Sequence, residues 1–338
     1  MSARPRQVVL AGTPSDVGAL VKIRLGVSSC LLGEEVRYDS GHKHDRYVTD
    51  VLGAHFDFVS VCPEVETGMG IPRESVRLVR RGDANDGEIR MLGVKSSSDH
   101  TDAMRRYARR RVAGLAALGI SGYILKKGSP SCGMERVRTY TAKGMPALSD
   151  RGLYAAALIE AMPLLPVEEE GRLLDAVLRE SFIERVFAYS RVKAMFAGRW
   201  SVGDLVTFHS REKMLVSAHE PAAEKFLGRI VADAKHAPRA EVAEGYRSAF
   251  LGALSKPAPR RRHVNVLQHM LGYFREVLEP APRQALAAVV EDYRVGLVPL
   301  VVPITLMRHY VGLHGIEYLA RQTYLEPHPR ELLLRNHV

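Results

Sequence analysis

The spacing of apolar residues changes once along this chain, near residue 166. Before it, short apolar runs are separated by turn formers. KIRLGV (Lys22–Val27), FDFVSV (Phe56–Val61) and GYILK (Gly122–Lys126) are rich in β-branched or aromatic residues and bounded by turns, so each predicts a strand. Between the second and third, SDHTDAMRRYARRRVAGLAALG offers Ser98, Asp99 and Thr101 as caps. Met104, Ala108, Val112, Leu115 and Leu118 then recur at helical spacing, and Gly119 ends the run. Strands alternating with helix predict an open, Rossmann-like α/β sheet. From Val167 onward the period is helical throughout. Glu168–Glu170 are expected in the first turn of a helix running to Phe196, with basic residues later, as the helix dipole favours. Further helices are expected near 223–235, 240–254, 264–279, 281–295 and 303–314. The expectation is an N-terminal extension (1–21), an α/β domain (22–166) and an all-α domain (167–338), with Met162–Glu170 as the linker.

A chain of 338 residues is long enough for two cores. It carries no run of 18 apolar residues and no secretory h-region, which predicts a cytoplasmic protein with no membrane partner. The net charge is +10, with a basic excess in both halves. A polyanionic partner such as nucleic acid would explain the excess; a generally basic surface would explain it equally. No protein partner is inferred.

Three cysteines make no disulfide framework. Their positions are more telling. Cys30, Cys62 and Cys132 each fall just past the carboxyl end of a predicted strand, the edge where open α/β sheets bind ligands. Three thiols converging there suggest a metal centre with an open position; three unrelated buried cysteines are the alternative. Five arginines in seven residues (Arg105, Arg106, Arg109, Arg110, Arg111) form either a solvated helix face or a phosphate-contacting stripe.

Three segments, VSSCLLGEEVRYDSGHK, VSVCPEVETGMGIPRE and ILKKGSPSCG, resemble the TudS family of thiouracil desulfidases, over about Lys22–Leu165 and with the cysteine motifs in order. Three later segments, FHSREKMLVSAHE, RRHVNVLQHMLGYF and YRVGLVPLVVPITLMRHY, resemble the helical domain of the RudS family, RNA uracil desulfidases. The resemblance implies a 4Fe–4S cluster held by Cys30, Cys62 and Cys132, with one iron free of protein ligands. It further implies redox-neutral, hydrolytic replacement of the thiouracil sulfur by water, with release of hydrogen sulfide. Glu64 aligns with the family's catalytic glutamate, and Ser129 or Ser131 with its functional serine.

Around these residues, Arg37, Tyr38 and Asp39 are candidates for ribose, base and phosphate contacts, and Lys126, Lys127 and Arg73 for a phosphate. Ser28 and Ser29 are weaker candidates for substrate bonding. On α/β helix residues, Arg105 and Arg109 are RNA-binding candidates. In the helical domain the candidates are Lys213, Arg261, Arg262, His263, Asn265 and His269, joined by His209 and His219. Three functions follow: a desulfidase for 4-thiouridine in tRNA, the same chemistry on free thiouracil or 4-thiouridine monophosphate, or a non-catalytic RNA-binding module with a structural cluster.

Overall fold

The computed structural model describes residues 22–81, 87–141 and 144–337. The expected N-terminal extension lies outside the described residues. Among the described residues the α/β part holds two four-stranded sheets. The first is all parallel, in the order β2 (Phe56–Val61), β1 (Ile23–Ser28), β5 (Tyr123–Leu125), β8 (Val167–Glu169). The three expected strands are therefore direct neighbours, and their carboxyl ends share one edge. Gly26 makes the β1–β5 approach possible: a Cβ there would sit 2.2 Å from the Tyr123 ring.

The second sheet runs β4 (Glu88–Gly93), β3 (Val76–Arg81), β6 (Val137–Thr141), β7 (Pro146–Asp150), with β3 and β6 parallel and the outer pairs antiparallel. None of these four strands was expected from the sequence. Their apolar positions alternate with arginines and threonines, too short a pattern to separate from loop. Three helices accompany the sheets: α1 (Pro63–Glu66), α2 (Thr101–Ala117) and α3 (Leu153–Ala161). Helix α2 buries Met104, Ala108, Val112 and Leu115 of the expected stripe against the sheet core, but Leu118, at the helix C-cap, is exposed.

The change of architecture comes later than the sequence suggests. Val167–Glu169 is a strand of the first sheet, not the first turn of a helix, because its backbone pairs with Tyr123–Leu125. Helix α4 (Ala176–Met195) starts where the Asp175 side chain accepts the N–H groups of Val177 and Leu178. The remainder is helical: α5 (Val202–His219), α6 (Pro221–Asp233), α7 (Arg239–Ala253), α8 (Arg260–Gly272), α9 (Pro280–Val295), α10 (Val301–His314) and α11 (Glu317–Ala320). Helix α5, absent from the expected set, opens on a Ser201–Asp204 capping box. No helix among the described residues is long and apolar enough to cross a membrane.

Helix α4 joins the two halves. Phe182, Ile183 and Val186 pack with Leu25, Val27 and Cys30 of the α/β part, whereas Ala188 and Val192 enter the core of the helical part. The C-terminal tail returns to the same place. Leu332 and Leu334 join the cluster around Cys30 and Leu31. Arg335, 4% exposed, bonds to Glu184 at 2.9 Å and to the Tyr324 carbonyl at 2.7 Å.

Candidate active site

The chain turns sharply after each of the three neighbouring strands. Ser29–Leu32 forms a 3₁₀ turn that carries Cys30, and its amide and carbonyl region is fastened by a bond from the Lys43 N–H to the Cys30 carbonyl. Cys62 stands before Pro63, which opens α1 in the position a helix start tolerates. Beyond β5, the Ser129 hydroxyl oxygen accepts the N–H groups of both Ser131 and Cys132 at 3.2 Å, closing the turn that presents Cys132. Gly152 permits this loop to lie against the start of α3: a Cβ there would stand 2.4 Å from the Ser131 carbonyl oxygen.

All three cysteines line one cavity of about 330 Å³. Cys30 and Cys132 are buried, and Cys62 is partly open. Burial pushes the Cys30 thiol up to about 11, raises Cys62, and holds Cys132 well above the usual thiol range. Cys30 feels the charge of Cys62, and Cys132 feels those of Cys30 and Cys62, which reflects their proximity. Arg37 and Lys126 act oppositely on Cys30, and a hydrogen bond with the Ser28 side chain acts oppositely on Cys132. Thiolates in such a place need a cationic group against them.

Among the described residues, no group of three or more His, Cys, Asp or Glu side chains is arranged to hold a metal ion. The thiols do not close on one mononuclear centre. Three thiols lining one cavity are a donor set that would fit a sulfur-bridged iron cluster, with one iron left without a cysteine.

Glu64 faces this cavity from α1 and is held from two sides. Arg73 grips Oε2 through Nη2 at 2.6 Å and Nε at 3.0 Å, and the Ser131 hydroxyl donates to Oε1 at 2.8 Å. The two motif serines thus part company. Ser129 builds the turn, while Ser131, fully buried, orients the carboxylate. Arg73, expected to meet a phosphate, is a partner of Glu64 instead, 6% exposed at its side chain. Ser29 bonds to Ser60 at 2.7 Å, and Ser28 Oγ accepts the Lys126 N–H at 3.0 Å.

At the rim, Arg37, Tyr38 and Lys127 line the cavity, with the Arg37 guanidinium 5.4 Å from the Tyr38 ring centre. Asp39 sits 3.7 Å from Arg37. Lys126 also lines the cavity, but its ammonium is paired with Glu170, whose other oxygen accepts the Lys127 N–H at 2.8 Å. Glu170 is a residue the sequence reading missed. It lies just past β8, and nothing local in the sequence links it to the cysteine loop.

The expected RNA-contacting residues scatter. Arg105 pairs with Glu88 at 3.0 Å, Lys213 with Glu224 at 3.5 Å, and Arg262 with Glu220 at 3.2 Å. His263 is not a surface residue: it is buried, with Nδ1 3.0 Å from the Tyr324 hydroxyl. His219 is likewise buried, its Nε2 2.6 Å from Glu184, and His209 is half-buried against Tyr246. Val264, Val266 and Leu267 point inward from the same helix, so the inward face of α8 sweeps past His263. Arg261, Asn265 and His269 stay exposed on the other side of α8, and Arg109 is exposed on α2.

The sequence matches agree with this division. Residues 25–170 match the family model of 2-thiouracil desulfurase, and residues 213–329 match a family of unknown function, DUF1722. The chain is 35% identical over 158 residues to the uncharacterized protein YbgA of Escherichia coli (strain K12), covering 46% of this chain and 94% of that one. It is 30% identical over 137 residues to the uncharacterized protein YbbK of Bacillus subtilis (strain 168), covering 40% of this chain and 89% of the relative. A solved structure described as a [4Fe-4S]-dependent thiouracil desulfidase, TudS, is 31% identical, spanning 48% of this chain and all of its own, with a TM-score of 0.37. On these sequence matches and the placement of the cysteine motifs, the chain belongs to the 2-thiouracil desulfurase family, in a form that carries a DUF1722 domain as its second half.

Proposed function

We propose that this protein removes sulfur from 4-thiouridine in tRNA, giving uridine and hydrogen sulfide. The observation that carries the reading is the cavity: three converging cysteines, a clamped carboxylate and a cationic, aromatic rim in one enclosure. Its volume of about 330 Å³ falls within the range of small-molecule binding sites. Cys30, Cys62 and Cys132 would hold a 4Fe–4S cluster, which supplies, when bound, an iron with a coordination position open to the substrate's sulfur.

The chain's own residues do the rest. The net change replaces C=S and water by C=O and hydrogen sulfide, so no electron donor is required. Glu64 is the group in the cavity that can take a proton from the attacking water and return one to the departing sulfur or the ring nitrogen. Ser131 and Arg73 keep its carboxylate aimed. Tyr38 offers a ring face for the base or ribose, and Arg37 and Lys127 offer charge for a phosphate at the rim. Lys126 steadies the loop through Glu170.

The preference for RNA over a free thiouracil or 4-thiouridine monophosphate rests on the second domain and its charge. A small substrate needs no surface beyond the cavity, whereas α8 presents Arg261, Asn265 and His269 to solvent in a protein of net charge +10. The cytoplasm supplies both the reducing conditions that free thiols need and the RNA. The test is anaerobic incubation of cluster-loaded protein with tRNA carrying 4-thiouridine, with residual thionucleoside and sulfide measured. Loss of thionucleoside matched by sulfide is expected; unchanged thionucleoside at stoichiometric protein overturns the reading. Competition by 4-thiouridine monophosphate decides between RNA and nucleotide. Cluster loss that unfolds the protein would favour the non-catalytic module with a structural cluster; in the enzyme it should abolish turnover with the fold less affected.

A further inference from the structure

The arginine-rich segment of α2 resolves into two kinds of residue. Arg105 and Arg111 are engaged, with Glu88 at 3.0 Å and Glu66 at 3.3 Å. Arg106, Arg109 and Arg110 are exposed and make no hydrogen bond or ion pair among the described residues. Arg106 stands three and four residues from the other two, so like charges are neighbours on the helix surface. Such pairs are unfavourable for an isolated helix. A helix that keeps them without acidic partners violates a local rule, and such violations concentrate at functional surfaces.

The three arginines line one groove, closed on its other side by Glu66 and Thr67 of the α1 turn. The same turn walls the cysteine cavity, into which Pro63 and Glu64 face. A four-residue helical turn, roughly 6 Å long at 1.5 Å per residue, therefore separates the two concavities. Glu66 adds no free charge to the groove. One of its oxygens accepts the Cys62 N–H at 3.0 Å, and the other faces Arg111.

We propose that this groove is a binding site for the RNA phosphodiester backbone flanking the nucleotide held in the cysteine cavity, with Arg106, Arg109 and Arg110 each meeting a phosphate. The assignment rests on the RNA reading above. It makes α2 a second RNA surface, separate from α8 and adjoining the reacting base. The three guanidinium groups match consecutive negative charges, and the thin α1 wall matches the short step from a base to its neighbouring phosphates.

The test compares the full-length, cluster-loaded protein with its R106A/R109A/R110A variant. Binding of a single-stranded RNA oligonucleotide, with and without one 4-thiouridine, is followed as salt is raised, alongside desulfuration of 4-thiouridine monophosphate. Three lost contacts should make the log–log salt slope shallower by about 2 and weaken binding at 0.1 M salt by roughly 100-fold. Mononucleotide turnover should be unchanged, and thermal stability unchanged or slightly raised as repulsion is relieved. An unaltered RNA slope, or no RNA binding by the unsubstituted protein, overturns the groove. So does a lowered melting temperature with equal losses on both substrates, which marks the arginines as structural. Failure of the desulfidase reading appears differently, as intact thiouridine in every sample, while the salt slopes still report on the groove.

Discussion

Arg335 is the side chain whose removal should be felt most widely. It is 4% exposed and touches four groups: Glu184 at 2.9 Å, Glu180 at 3.4 Å, the Tyr324 carbonyl at 2.7 Å, and the Tyr324 ring face, 5.2 Å from its centre. Arg335→Ala leaves the buried Glu184 with His219 alone and strips Glu180 of its counter-charge. Breaking a buried ion pair by deleting one partner costs about 3–5 kcal/mol. Domains of this kind carry about 5–15 kcal/mol in total, so roughly a fifth or more would be lost. The loss should reach the cysteine cavity, because Leu332 and Leu334, just before Arg335, pack against the cluster that contains Cys30. Urea unfolding followed by circular dichroism should show a much lower midpoint, and the iron content of anaerobically prepared protein should fall with it. Glu184→Gln combined with Arg335→Met should recover part of the stability lost in Arg335→Met, since the stranded carboxylate is then neutral. A cost below about 1 kcal/mol for Arg335→Ala, the range of exposed ion pairs, would refute the reasoning.

The two motif serines should separate under substitution. Ser131→Ala removes a hydrogen bond to a carboxylate, worth about 1.5–3 kcal/mol, of which Arg73 retains part by holding Glu64 in place. A kcat about 10-fold lower with iron content unchanged is expected, measured by sulfide release and metal analysis. Ser129→Ala instead deprives the Ser131 and Cys132 N–H groups of their acceptor, so cluster retention should suffer first. Replacing Cys132 by Ala should abolish both visible absorption and turnover. A pH dependence follows from two buried histidines. Burial brings His263 down to about 3 and His328 to about 4, from 6.5. The unfolded chain then binds more protons than the folded one, so stability is present above pH 6.5 and lost as pH falls toward 4. Two protons amount to about 2.7 kcal/mol per pH unit at most, at 1.36 kcal/mol per proton. Glu180, raised to about 7 by burial, opposes one of them between pH 4.5 and 7. His263→Gln should flatten the acid side of a stability–pH curve, and an unchanged slope would show that His263 is not buried neutral.

Local sequence was sufficient wherever one face of one element decided the outcome. The strands ending at Ser28, Val61 and Leu125, the inward stripe of α2, and the position of each cysteine past a strand end could all be read from periodicity and turn chemistry. Those features depend on residues a few positions apart. The second sheet escaped because its strands are short and mixed, with stability that comes from pairing across the sheet. Val167–Glu169 escaped for a related reason: three acidic or β-branched residues look like a helix start until Tyr123–Leu125 supplies the ladder.

Tertiary structure alone decided the partners. The sequence placed Arg73 beside a proline turn, but only the fold brings its guanidinium to Glu64 and leaves Ser131 to complete the clamp. It singled out Arg105 and Arg109 among five arginines on α2, and distant carboxylates at Glu88 and Glu66 took Arg105 and Arg111. It counted His263 with Asn265 and His269, yet the α8 inward face, packed on Tyr324, buries the first and leaves the other two in solvent. Hydrophobic spacing records which side of an element avoids water. Which charge meets which other charge depends on where remote segments of the chain come to lie, and that is set by packing of the whole core.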